Sequence, residues 1–301
     1  MDIVEQIKKL KKEKDAVILA HYYVIPEVQD IADYIGDSFY LSKVAVGLKE
    51  KTIVFCGVSF MGESAKMLNP DKTVLMPDMT ADCPMAHMCD REIIQKMKDT
   101  YDDLAVVCYI NSTAELKKYS DVCVTSANAV KIVKALPNKN IFFIPDRNLA
   151  HYIAGLVPEK NFVYNEGFCP THERMDAEEV LEVKKEHPEA LVLSHPECRT
   201  EILDISDYIG STSGIINYAT ESDRKEFIIC TEEGVSYKLW KNNPDKKFYF
   251  PKSVPTCPNM KKNTLEKVLH VLESGENEVH VSDGLRGSAV KPLEKMLELA
   301  K

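Results

Sequence analysis

The chain repeats itself, and that repeat limits its fold more than any other feature of the sequence. An apolar run ending in an imidazole or a phenol occurs three times, as Val17-Ile18-Leu19-Ala20-His21, Val106-Val107-Cys108-Tyr109 and Leu191-Val192-Leu193-Ser194-His195, at offsets of 88 and 86 residues. A hydroxyl follows each run 17 residues later, at Ser38, Ser126 and Thr212. A second apolar run ends 18 residues beyond that, at Ile53–Cys56, Ile141–Ile144 and Phe227–Cys230, and a third follows at Val74–Met76, Phe162–Tyr164 and Phe248–Phe250. Each copy closes on one dipeptide: Cys83-Pro84, Cys169-Pro170 or Cys257-Pro258, spaced by 86 and 88.

Between the apolar runs lie stretches with helical spacing, such as Leu41–Val46, Ile93–Met97 and Ala129–Val133. Short strand-like runs alternating with helices predict parallel strands joined by right-handed crossover helices. The expected fold is α/β: three homologous αβα units, each with a short parallel sheet of about four strands, arranged around a pseudo-threefold axis. Their bounds are 1–84, 85–170 and 171–258, and 259–301 is expected to pack back on the first unit. That last segment reads as a helix, a short strand near Glu278–Val281 and a final helix from about Leu285.

A chain of 301 residues that is 45% hydrophobic can bury a sizeable core, so disorder is excluded. The formal net charge of -9 argues against a nucleic-acid partner, which needs a basic excess. Lys8, Lys9, Lys11, Lys12 and Lys14 read as the solvated face of an amphipathic helix. No apolar run approaches the roughly 18 residues that span a bilayer, and no cleavage pattern marks the start, so a cytoplasmic protein without membrane partners is expected. Nine cysteines without a Cys-x-x-Cys pair, in a reducing compartment, are not a disulfide framework. Cys83, Cys169 and Cys257 stand apart from the other six because they alone keep the period, and they read as metal ligands.

In a parallel sheet, ligands bind at the carboxyl ends of the strands, and every repeated polar residue lies at such an end. Three units with these ends facing inward would bring the three thiols to a common point. Three thiolates leave one coordination position open, which suits a 4Fe-4S cluster or a zinc ion with a bound water. The groups Asp37-Ser38, Ser126 and Ser211-Thr212-Ser213 are expected to open helices and hold anions. His21, Tyr23, Tyr109, Asn111, His195 and Glu197 follow the first strands and can move protons, and His172 stands three residues beyond Cys169. His87, His151, His187, His270 and His280 have no counterpart in the period and read as surface or core residues.

Longer motifs lie on the same frame: His21-x-Tyr23, Asp30-Ile-Ala-Asp33-x-x-Gly36-Asp37-Ser38, Tyr109-x-Asn111-Ser112-Thr113 and Thr125-Ser126-Ala127-Asn128-Ala129. Pro145-Asp146-Arg147-Asn148-Leu149, His195-Pro196-Glu197-Cys198 and Asn259-Met260-Lys261-Lys262-Asn263-Thr264-Leu265 continue them. Together they resemble the quinolinate synthase family of bacterial and archaeal NAD biosynthesis, nearly end to end. The resemblance implies a transferase that condenses iminoaspartate (iminosuccinate) with dihydroxyacetone phosphate, losing phosphate and two waters to give quinolinate. It implies one 4Fe-4S cluster on Cys83, Cys169 and Cys257. His21, Ser38, Tyr109, Ile110, Asn111, Ser126, His172, His195, Pro196, Glu197, Ser211 and Thr212 would then bind substrate. Glu197, Tyr23, His21, His195 and Tyr109 would be catalytic, with Tyr23 and Glu197 foremost as acid and base. Tyr22 departs from the family, which commonly has asparagine there. An aspartate oxidase or aspartate dehydrogenase would supply the imine. A different cluster-dependent dehydratase of small hydroxy acids and a non-catalytic iron-sulfur sensor are the other functions compatible with the thiol pattern.

Overall fold

The structure, a computed structural model, describes residues 2–301. Three four-stranded sheets carry it. In the first, β1 (Ala16–His21), β2 (Tyr34–Gly36), β3 (Thr52–Cys56) and β4 (Thr73–Leu75) lie in the order β2-β1-β3-β4. The second holds β5 (Leu104–Tyr109), β6 (Val122–Val124), β7 (Asn140–Ile144) and β8 (Asn161–Tyr164) in the order β6-β5-β7-β8. The third holds β9 (Leu191–Ser194), β10 (Tyr208–Ile209), β11 (Glu226–Cys230) and β12 (Lys247–Tyr249) in the order β10-β9-β11-β12.

All pairings within these sheets are parallel. The register keeps the sequence period, so that Leu19 pairs with Phe55, Val107 with Phe143 and Leu193 with Ile229. The α/β class with three like units read from the repeat is therefore the fold observed. Helices cover both faces of these sheets, which is why the central strands read as continuous apolar runs rather than as alternation; all of β1 is buried.

Two further repeated side chains tie each sheet together. Asp33, Asp121 and Asp207 each precede the second strand of a unit, and each binds the first strand twice. Its N–H donates to a carbonyl (Ile18, Val106 or Val192, all 2.9 Å), and its carboxylate accepts the N–H of that same residue (2.8 Å in each case). Lys72, Lys160 and Lys246 donate to the carbonyls just past the helices Ser38–Gly47, Ala129–Ala135 and Thr212–Glu221, where orphan acceptors and the negative end of the helix dipole meet a cation.

The first helix, Ile3–Glu13, buries Ile7 and leaves most of its lysines exposed, with Lys11 reaching Asp33 at 2.6 Å. The tail divides between two units. Helix Leu265–Ser274 lies on helix Ile3–Glu13 and β3 of the first unit. Helix Asp283–Leu299 lies on helix Ser59–Leu68 of the first and on β6 and its neighbouring helices of the second. Tail and first two units thereby share one apolar core, while the third unit has separate clusters. The strand expected near Glu278 is a single antiparallel bridge to Leu75, closed by two backbone bonds, Val279 N–H to the Val74 carbonyl (2.8 Å) and Met76 N–H to the Asn277 carbonyl (3.1 Å). The last helix starts two residues earlier than expected, since Ser282 caps it by accepting from Leu285 N–H.

If the aspartate clasp secures each first strand, Asp207→Ala leaves the Val192 N–H without its acceptor and should lower unfolding stability by about 1 kcal/mol in urea melts. Asp204→Ala, one turn away and exposed, should change it by less than about 0.5 kcal/mol.

Candidate active site

The carboxyl ends of the three sheets open on one cavity of about 230 Å³. The first strands deliver His21 and Tyr23, Tyr109 and Asn111, and His195 and Glu197 to its wall. The segments just past the second strands deliver Ser38 and Thr212, each the first residue of a helix, and Ser126. Beyond the fourth strands come Cys83, Cys169 and Cys257, one thiol per unit, all lining the same cavity. The proline after each of the first two starts a short helix, Pro84–His87 and Pro170–Glu173, at the position where a missing N–H costs nothing.

Ser38 and Thr212 begin ten-residue helices capped by Asp37 and Ser211. Ser126 instead sits in a turn, since the Asn128 carboxamide accepts the Thr125 N–H at 2.7 Å and the helix starts only at Ala129. Ser211, Ile110 and Pro196 do not line the cavity. Ser211 spends its hydroxyl on the Gly214 N–H, and Ile110 is a core residue. The five histidines without phase also lie outside it. The remaining six cysteines, Cys56, Cys89, Cys108, Cys123, Cys198 and Cys230, are buried and do not reach it.

The imidazoles are held in one form by the backbone. Tyr23 N–H donates to His21 Nδ1 (3.2 Å), and Glu197 N–H donates to His195 Nδ1 (3.3 Å), the same i to i+2 contact in two units. A nitrogen that accepts cannot carry the proton, so Nε2–H is the donor of both rings. His195 Nε2 reaches Ser126 Oγ at 3.2 Å. Burial, with His195 alongside, pushes His21 down to about 3, and burial, with His172 alongside, does the same to His195 despite Glu197. Both are therefore neutral hydrogen-bond donors near pH 7.

Glu197 lies at the centre. Its Oε2 is 2.8 Å from His172 Nδ1 and 3.6 Å from His195 Nδ1. Burial opposes its charge, but His195, His172 and the Tyr109 hydroxyl together hold its carboxyl down to about 2. Its other oxygen has no partner among the described residues, and neither does the Asn111 carbonyl oxygen. Tyr23 and Tyr109 are pushed well above the ordinary phenol range, by burial first and then by the nearby Glu197 charge. Tyr23 Oη meets Thr212 Oγ1 at 2.7 Å and Thr231 Oγ1 at 2.8 Å.

The thiols share one electrostatic setting. Burial pushes Cys83 up to about 12 and raises Cys169 and Cys257, and the thiols also act on one another, Cys257 on Cys83 and Cys83 on Cys169. Three soft donors at one cavity, each costly to ionise unless a cation is present, match a metal centre that displaces thiol protons. Cys169 Sγ, a His172 nitrogen and a Glu197 oxygen also lie within 4.8 Å of one another. Acidic groups hold the thiol-bearing loops: Cys83 N–H donates to Asp82 (2.8 Å), Cys257 N–H donates to Glu232 (2.9 Å), and the Cys169 N–H lies near Asp146.

Several cavity residues escaped the sequence reading. Glu232 stands two places past a third strand, at the position of Val58 and Asp146 in the other units, and carrying the repeat frame on by two residues would have found it. Met260 stands three places past Cys257, as His172 does past Cys169, but Ala86 occupies the first-unit equivalent, so no common chemistry marks the position. Phe60 has no like counterpart, since Asn148 and Gly234 stand at its position; Met61 is matched by the apolar Leu149 and Val235 and Arg174 by the cationic Lys262, but none of those three lines the cavity. Tyr22 does not line the cavity. Its ring packs among the third unit's apolar residues and its hydroxyl pairs with Ser213, so the departure from asparagine serves the contact between units.

Fold and site together define an enzyme: a triplicated parallel α/β protein with neutral imidazoles, an ionised carboxylate and three thiols around a sheltered pocket. The sequence model of the quinolinate synthetase A protein family (NadA) matches residues 5–298. Proteins named quinolinate synthase are 57% identical to the chain in Fusobacterium nucleatum (98% of this chain, 99% of the relative) and 53% identical in Clostridioides difficile strain 630 (100% and 99%). The protein of that name in Caldicellulosiruptor saccharolyticus is 52% identical (99% and 98%). The chain belongs to the quinolinate synthetase A family.

Lys261 couples the Cys257 loop to the first unit, binding Glu232 at 2.9 Å, Glu233 at 3.1 Å and the Tyr23 carbonyl at 2.8 Å. Lys261→Met leaves the fully buried Glu232 without its cation and should lower unfolding stability by about 1–3 kcal/mol, read from the denaturant midpoint.

Proposed function

We propose that the chain is a quinolinate synthase: iminoaspartate condenses with dihydroxyacetone phosphate, and phosphate and two waters leave as the ring forms. The observation that carries this reading is the meeting of Cys83, Cys169 and Cys257, one from each unit, at the cavity that also holds Glu197, Tyr23 and the two neutral histidines. A 4Fe-4S cluster held by these three cysteines supplies, when bound, an iron without a protein ligand, a Lewis acid for removing hydroxyl as water.

The chain's own groups divide the remaining work. The Nε2–H donors of His21 and His195 and the hydroxyls of Ser38, Ser126 and Thr212 are suited to carboxylates and phosphate, with two helix N-termini behind them. The unpartnered Asn111 oxygen is the natural acceptor for the substrate N–H. Glu197, held ionised, takes the proton released next to a carbonyl, and its free oxygen is available for that purpose. Tyr23 and Tyr109, held in the phenol form, donate to oxygens that gain charge. Holding two substrates together in one site contributes about 7–11 kcal/mol of the barrier, more than any single acid or base. An aspartate oxidase or an aspartate dehydrogenase is the class of enzyme that would supply the unstable imine. No helix among the described residues is long and apolar enough to cross a membrane.

Anaerobically purified protein should contain about four irons and four acid-labile sulfides per chain and form quinolinate from the two substrates. Iron-free material, or intact holoprotein that makes no quinolinate, would overturn the reading. Cys169→Ala should lose both the cluster absorption and nearly all turnover. Glu197→Gln should keep the absorption and slow turnover by about 100-fold or more; unchanged turnover would remove Glu197 from the chemistry.

A further inference from the structure

Leaving imidazoles, phenols and thiols aside, the ionisable side chains of the cavity wall are Asp37, Glu197, Glu232 and Arg174. Two of the carboxylates are engaged within the protein: Asp37 caps a helix by accepting the Tyr40 N–H at 3.0 Å, and Glu232 is paired with Lys261 at 2.9 Å. Arg174 has no such engagement. The adjacent carboxylate, Glu173, gives one oxygen to Arg147 (2.6 Å) and the other to Asn148 (2.9 Å). The Arg174 guanidinium is left without a partner among the described residues.

Its place in the wall is equally distinct. Pro84, Arg174 and Pro258 are the exposed lining residues, and the others are buried or half-buried. Arg174 therefore stands at the rim, between solvent and pocket. It lies five places past Cys169; the same step from Cys83 gives Met88, and from Cys257 it gives Lys262, whose ammonium donates to the Thr80 carbonyl at 2.6 Å. Neither of these counterparts lines the cavity, so one unit of the three brings an unpaired cation to it.

A chain with a net charge of -9 repels anions, and the reaction proposed above brings three anionic groups, two carboxylates and a phosphate monoester. The Nε2–H donors of His21 and His195, the wall hydroxyls and the helix N-termini are neutral groups or partial charges, which suit singly charged carboxylates. A phosphate monoester is close to doubly charged at neutral pH and has to depart. A guanidinium matches it with two parallel N–H donors and a full positive charge, and a position at the rim leaves it a way out.

We propose that Arg174 is the phosphate-binding residue of this site, holding the phosphate of the phosphorylated substrate at the rim and leaving the neutral donors of the wall to the dicarboxylate. The inference rests on the proposed reaction for the identity of the molecule that carries the phosphate, but not for the affinity for phosphate itself.

The test uses anaerobic holoprotein and titrates inorganic phosphate and, separately, succinate by calorimetry. Arg174→Gln should weaken phosphate binding about 10-fold or more while changing succinate binding by less than about threefold, and Arg174→Lys should recover part of the loss. In the kinetic assay, Arg174→Gln should raise KM for dihydroxyacetone phosphate about 10-fold or more, and added salt should weaken kcat/KM for that substrate more in the wild type than in the variant. Because the side chain is exposed and unpaired, the variant should keep the cluster absorption and the denaturant midpoint. A wild type that binds no phosphate, a variant that binds it equally well, or a loss that falls on succinate instead would overturn the proposal. A wild type that binds phosphate through Arg174 yet forms no quinolinate would sink the reaction assignment and leave the phosphate site standing.

Discussion

A parallel strand has two unlike ends, and the architecture depends on every strand of a unit presenting the same one to the same side. Twelve strands in three parallel sheets send their carboxyl ends to one place, so the residues just past them become neighbours although they lie far apart in the chain. The aspartate that binds each first strand through both its N–H and its carboxylate, and the lysine that closes each crossover helix, hold this polarity and register in all three units. Sequence spacing becomes spatial coincidence only because these contacts repeat with the same period as the strands.

The third unit meets the rest differently from the way the first two meet each other. The first two are welded by the terminal helices into a single apolar core, whereas much of the third unit's contact runs through polar groups around the cavity. Gln29 donates to the Gly234 carbonyl, Asn148 to the Glu197 carbonyl, and Tyr23 pairs with Thr212 and Thr231. Contacts of this kind carry much of their stability in direction rather than area, so they place side chains accurately. They also make the site and the unit boundary the same structure: groups that would handle protons also hold units together.

Electrostatics give the site its division of labour. Burial alone would leave every group neutral, and for His21, His195, the tyrosines and the thiols it does. Glu197 is the exception because imidazole and phenol donors converge on it, making it an ionised base among neutral donors. A pair of titratable groups with environments pulling in opposite directions is the usual mark of acid and base roles.

The three-unit α/β fold, the strand positions and most of the cavity wall were legible in the sequence because the period exposes equivalent positions regardless of what surrounds them. Residues used once were not. Thr231, Phe60 and Met260 have no like-natured counterpart in the other copies, and nothing local distinguishes them from core or surface residues. The period likewise could not say that Ser126 would sit in a turn, nor that the last helix would bridge two units, since both depend on neighbours distant in the chain. The sequence by itself determined which residues stand at strand ends, because apolar run length and spacing are local properties. Only the tertiary structure decided which ends face each other and which carboxylate stays charged, because the phenol of Tyr109 and the imidazole of His172 reach Glu197 from positions distant in the chain.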